Sequence, residues 1–244
     1  MISDVYTVFW KEWKELFKQR GLRGGFASWL IMVALVGIFM PLNFGRDWLT
    51  NPIMLISWSW PPLLSVMSLV TDAFAGERER HTLETLLASR LSDRAILFGK
   101  ILTMVVYGWS MQLAATLLSA ITVNVIFFTG SLRFYSAGLL FGVLAFSLVA
   151  LLLVSALGVL VSLHAPTVRA AYQKLSIGFI VIWMAIFFVP MLVPESTRQA
   201  LLSQVLGISW WQVGLVVALL LILVDVLLIR LALARFQRNT LILD

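Results

Sequence analysis

The chain has 244 residues, of which 61% are hydrophobic and only 12% charged, with a formal net charge of +6. A mean hydropathy of +0.97 excludes a soluble globular domain, and apolar runs fill so much of the length that no soluble catalytic domain fits beside them. There are no cysteines, which excludes disulfide and thiolate chemistry, and basic residues beside apolar runs point to lipid headgroups rather than to nucleic acid.

The pattern predicts an all-α, polytopic membrane protein forming a single transmembrane domain over residues 1–244. It opens on an amphipathic helix at 4–21, where a signal peptide would instead be apolar. Val5, Phe9, Trp13 and Phe17 recur every fourth residue, while Lys11, Glu12, Lys14, Glu15 and Lys18 fall mostly on other faces. A basic, Trp-bearing helix of this kind is expected to lie in the headgroup plane, with Phe9, Trp10, Trp13 and Phe17 at the membrane interface. The alternative is a cytosolic helix packed on a partner.

Six spans follow, at 25–42, 52–74, 96–128, 135–163, 170–193 and 210–233. Pro61-Pro62 fall in the middle of the second and predict a kink. The third is longer than a bilayer needs and should tilt or project into the cytosol. Gly138 and Gly142 in the fourth form a G-x-x-x-G pair that permits close helix approach. After the fifth, residues 195–207 read as a short helix too brief to span, lying along the outer leaflet.

Of the eighteen Lys and Arg residues, only Arg46, Arg133 and Arg198 fall in loops on one side. The other fifteen flank the opposite ends of the spans, which puts both termini in the cytoplasm of a plasma or inner membrane. Trp48, Trp210 and Trp211 then belong at the outer interface, where indole rings are favoured.

Between spans two and three stands "GERERHTLETLLASRLSDRAILFGK", residues 76–100, with nine of the chain's thirty charged side chains. Leu83, Leu86 and Leu87 form an apolar stripe, and Ser92-Asp93 offer an N-cap for the third span. Arginines alone would fix topology; the interleaved Glu77, Glu79 and Glu84 add a surface able to meet a protein by sign complementarity. The plainer alternative is a solvated loop.

These residues resemble the signature of ABC-2 type transporter permeases, in which Glu-x-Glu leads into Gly-Thr-Leu-Glu, a Leu-Leu pair, a Thr-Pro turn, a Ser and a terminal Gly-Lys. The match covers Glu77, Glu79, Thr82, Leu83, Glu84, Leu86, Leu87, Ser92, Ile96, Gly99 and Lys100; it departs at His81, where glycine is usual, and at Ser89-Arg90 in place of Thr-Pro. The likeness extends to the amphipathic N-terminal helix, the six spans and the short helix after the fifth. It implies that residues 77–91 are a coupling helix docking on an ATPase subunit, through Glu77, Arg78, Glu79, Arg80, Thr82, Leu83, Glu84, Leu86, Leu87 and Arg90. It also implies an exporter built from two permease protomers, alike or related, over two ATP-binding cassette subunits. No cofactor is expected on this chain; ATP and Mg2+ belong to the ATPase.

Other chemistry is poorly provided for. "LFGKI" lacks the Walker A pattern, with Arg94 where its first glycine belongs and Ile101 after the lysine. The two histidines, His81 and His164, are too far apart for a helical metal pair, so no metal site is expected. Asp225, placed near the midplane of the sixth span, has Lys174 as its candidate charge partner. That pair would be either structural or the relay of an ion-coupled secondary carrier; a non-transporting scaffold is the third reading.

Overall fold

In a computed structural model, which describes residues 1–18, 25–51, 54–55, 59–195, 197 and 210–236, the described chain is helical with no strand. Helix α1 (Ile2–Lys18) is followed by α2 (Gly25–Ala34), a π-helical turn at Leu35–Phe39, α3 (Met40–Phe44) and α4 (Asp47–Thr50). Then come α5 (Trp60–Asp72), α6 (Ala75–Glu79), α7 (Leu83–Leu87), α8 (Asp93–Ile126), α9 (Ala137–Leu163), α10 (Val168–Leu192) and α11 (Trp210–Arg235). Four stretches among the described residues are long and apolar enough to cross a membrane: Phe26–Phe44, Asp93–Ile126, Ala137–Leu163 and Gly214–Arg235. The second and fifth predicted spans correspond to α5, of 13 residues, and α10, of 25. Of the short helix expected at 195–207 only residues 195 and 197 are described, and the Trp210 and Trp211 side chains lie outside the described residues.

Inside a bilayer, lipid tails are as apolar as leucine, so helices hold together by close packing rather than by hiding from water. The glycines show where this happens. A Cβ on Gly158 of α9 would stand 2.1 Å from Val70 Cγ1 of α5, and one on Gly108 of α8 would stand 2.4 Å from Leu151 Cδ2 and 2.7 Å from Val66 Cγ2. Helices α5, α8 and α9 thus meet backbone to side chain around Val66, Val70, Met104 and Leu151, all buried. Gly142, half of the G-x-x-x-G pair, meets no other helix among the described residues, and its face is open to a second protomer or to lipid.

Helix α2 with its π turn packs on α8 in the same way. Gly37 sits against Leu118, and Thr122 Oγ1 donates 2.8 Å to the Gly37 carbonyl. A π turn widens the backbone ladder, and the α8 threonine satisfies the oxygen exposed there.

Two expectations change. Pro61 and Pro62 fall in the first turn of α5, just after Trp60, rather than in the middle of a helix, and there a missing N–H costs nothing. Trp48, expected at the outer interface, is turned into the protein: it is 1% exposed and packed with Val36, Met40, Leu49 and Val123. Helix α4 turns it inward, and neighbouring Arg46 donates from Nε and Nη2 to the Phe127 carbonyl, at 3.1 and 2.9 Å. A guanidinium at the C-terminus of α8 satisfies orphan carbonyls and complements the helix dipole.

Candidate functional site

The signature residues form an elbow between α5 and α8. Helix α5 stops at Asp72, and the break is held by a buried serine from another helix. Ser162 Oγ of α9 accepts from the Phe74 and Ala75 amides at 3.1 and 3.0 Å and donates to the Thr71 carbonyl at 2.9 Å. Sequence reasoning passed over Ser162; its one signal is a polar residue close to the end of an apolar helix.

From there, each of four successive charges engages a different partner. Glu77, 4% exposed, accepts from Lys100 Nζ at 2.8 Å, and the same ammonium donates to Glu12 Oε1 of α1, also at 2.8 Å. Lys100 is wholly buried, at the base of α8, with its Nζ 5.2 Å from the Phe74 ring centroid. Phe74 in turn lies 5.2 Å from Phe236 at the end of α11. Lys11 adds a second, half-exposed cation 3.4 Å from Glu77. Arg78 donates to the Ala165 carbonyl and, at 3.0 Å, to the Leu163 carbonyl, capping the C-terminus of α9. Glu79 accepts from the Val168 amide at 2.9 Å, at the N-terminus of α10, where a carboxylate is favoured. Arg80 pairs with Asp72 at 3.1 Å.

Burial pushes the Glu12 carboxyl upward, but Lys100 and then Lys11 outweigh it and hold it below its ordinary value of 4.5. Next to Lys100, Gly99 leaves room for α1: a Cβ there would stand 2.5 Å from Val8 Cβ and 3.1 Å from the Val5 carbonyl oxygen. Both residues of the Gly-Lys dipeptide therefore serve one junction, between α1 and α8.

The docking set foreseen from the sequence divides. Glu77, Leu83 and Leu87 point into the protein, Arg78 and Leu86 are half-buried, and Glu79, Arg80, Thr82, Glu84 and Arg90 are exposed. The expectation of one outward charged face is corrected for Glu77, whose carboxylate is spent on Lys100. Ser92 caps α8 as predicted, its side chain accepting from the Ala95 amide at 3.3 Å. His81, where the signature favours glycine, has φ of +55°. Glycine adopts that left-handed region freely, whereas a Cβ is disfavoured there. His81→Gly is accordingly expected to keep the fold and stabilise it by at most about 1 kcal/mol, read as a higher thermal midpoint in detergent, whereas β-branched His81→Val should lower the midpoint.

Helix α1 packs along α8, and the stripe it buries there is Val8, Glu12 and Leu16. The Lys100 junction rotates the helix to bring Glu12 inward. Phe9 and Trp13 are half-buried and stacked, Trp10 is exposed with the Lys14 ammonium over its ring, and the Phe17 side chain lies outside the described residues. The predicted pair of Asp225 and Lys174 is not formed. Lys174 is exposed, and Asp225 is buried with neither carboxylate oxygen hydrogen-bonded among the described residues. The cause is packing: α11 lies along α9, a helix with no ionisable side chain, while α10 meets α5, α6 and α9.

A family profile described as "ABC-2 family transporter protein" matches residues 62–241, from the start of α5 to near the chain end. Neither the curated proteins nor the solved structures gave a match.

Proposed function

The chain belongs to the ABC-2 family of transporter proteins, and on that premise we propose that it is the membrane subunit of an ATP-driven exporter. In this reading the fold has six spans, with α5 and α10 completing the four apolar crossings, and both termini lie in the cytoplasm of the plasma or inner membrane. Two protomers, identical or related, stand over two ABC ATPase subunits that bind ATP and Mg2+. An apolar set of spans favours a lipid or amphipathic substrate over a sugar.

The observation that carries the reading is the way the elbow is tied. Glu77, Arg78, Glu79 and Arg80 bond to α8 and α1, to the end of α9, to the start of α10 and to the end of α5. On α7 and just after it, Glu84, Thr85, Ala88 and Arg90 are turned outward. A partner pushing on that short face would move several helix ends together, which is the task of a coupling element.

The test is charge reversal on the free face. Glu84→Arg with Arg90→Glu is expected to abolish substrate-stimulated ATPase activity and co-purification of the ATPase, while the permease still inserts and elutes as a single species in detergent. Unchanged co-purification and stimulation would refute docking through α7.

A further inference from the structure

At the far end of α8, away from the elbow, the connection to α9 turns back onto the helix it has just left. Asn124 Nδ2 donates to the Arg133 carbonyl at 2.7 Å and the Arg133 amide donates to Asn124 Oδ1 at 2.8 Å. Ser119 Oγ and Tyr135 OH share a 2.5 Å hydrogen bond. Pinned in this way, the connection walls a trough with a cavity volume of about 390 Å³. Leu117, Ile121 and Val125 run down one wall at intervals of four; Leu132, Phe134 and Leu140 supply the rest.

We propose that this trough is a lipid site, holding one acyl chain of a phospholipid whose anionic headgroup meets Arg133. Three observations select that occupant. The polar groups on the wall are spent on pinning, with Asn124 Nδ2 also bonded to the Ala120 carbonyl, so the lining offers contact to hydrocarbon. From Thr116 to Val125 the trough runs about 14 Å at helical rise, close to the roughly 15 Å depth of one leaflet's hydrocarbon. Arg133, exposed and tied through its backbone to Asn124 of the trough wall, supplies a cation that complements a phosphate. The site requires only that the chain sits in a bilayer, so it stands independently of the ATPase-docking reading.

The test is native mass spectrometry of the purified full chain with dioleoylphosphatidylglycerol or dioleoylphosphatidylcholine. Wild type should retain the anionic lipid several-fold more than the zwitterionic one. Arg133→Ala should bring that ratio to one, Ala120→Trp should remove both adducts by filling the trough, and Leu117→Trp at an exposed position provides a second fill. Millimolar inorganic phosphate should not displace the lipid. Equal retention of the two lipids by wild type, a preference unaltered in Arg133→Ala, or displacement by phosphate would overturn the proposal. So would a tryptophan variant that changes oligomeric state while its lipid adducts persist.

Discussion

Lys100→Met is expected to lower the stability of the folded protein by about 3–5 kcal/mol, the usual cost of removing one partner from a buried ion pair. The variant keeps the length of the side chain but leaves Glu12 and Glu77 facing each other, 8% and 4% exposed, with only the half-exposed Lys11 nearby. Thermal unfolding in detergent, followed by loss of the monodisperse species, reads the effect. Replacing all three residues by methionine should recover most of the loss, because the penalty is the unpaired charge and not the packing. If the triple variant is no more stable than Lys100→Met, the argument from charge fails.

The same junction sets an acid dependence. The folded-state pKa of Glu12 is lowered, so its contribution is complete above the ordinary value of 4.5 and is lost as the pH falls through the lower folded value. In Lys100→Met the main opposing charge is gone and burial then favours the protonated acid. The stability gap between wild type and variant should therefore narrow as the pH is brought from 7 down past 4.5. A gap that is constant over that range would contradict the assignment of the shift to Lys100.

Gly158→Ala should be destabilising by about 1–3 kcal/mol, although alanine is the better helix former. The added Cβ would fall 2.1 Å from Val70 Cγ1, 2.8 Å from Cγ2 and 3.0 Å from Cβ. A β-branched side chain so close to its own backbone cannot swing away, so α5 and α9 must part. Those helices flank the elbow, and Ser162, four residues beyond Gly158, must still reach Phe74 and Ala75. Val70→Ala makes room. The double variant should be more stable than the sum of the single effects predicts, with a coupling of about 0.5–3 kcal/mol; simple additivity would argue against this contact.

The two glycine signals in the sequence illustrate what such a pattern can carry. Gly138 and Gly142 have the spacing associated with close helix approach, yet Gly142 faces open space. Gly99, Gly108 and Gly158 belong to no such pair and stand where helices meet. Spacing says that two small residues share a face of one helix. It carries no information on whether a second helix lies against that face.

The charged segment shows the same division. Its place between two apolar spans, the cap at Ser92 and the odd residue at His81 were all legible, because each depends on a few neighbouring residues. The direction of its charges was not. Successive helical residues point about 100° apart, so Glu77, Arg78, Glu79 and Arg80 splay to four sides, and the sequence read them together as one docking surface. Three of the four bind helix ends or bases 23 to 89 positions away. The burial of Glu12 was illegible for a related reason: the apolar spacing of α1 gives no sign that Lys100, 88 positions away, draws that carboxylate inward.

By itself the sequence determined the membrane class, the all-helical architecture, the family and the position of the elbow, since hydropathy, capping and a contiguous signature are local properties of the chain. Tertiary structure decided which of those residues face inward. At the elbow, charges are drawn inward where an opposite charge or an orphan helix terminus lies within hydrogen-bond reach, and packing of α1, α8, α9 and α10 set those distances.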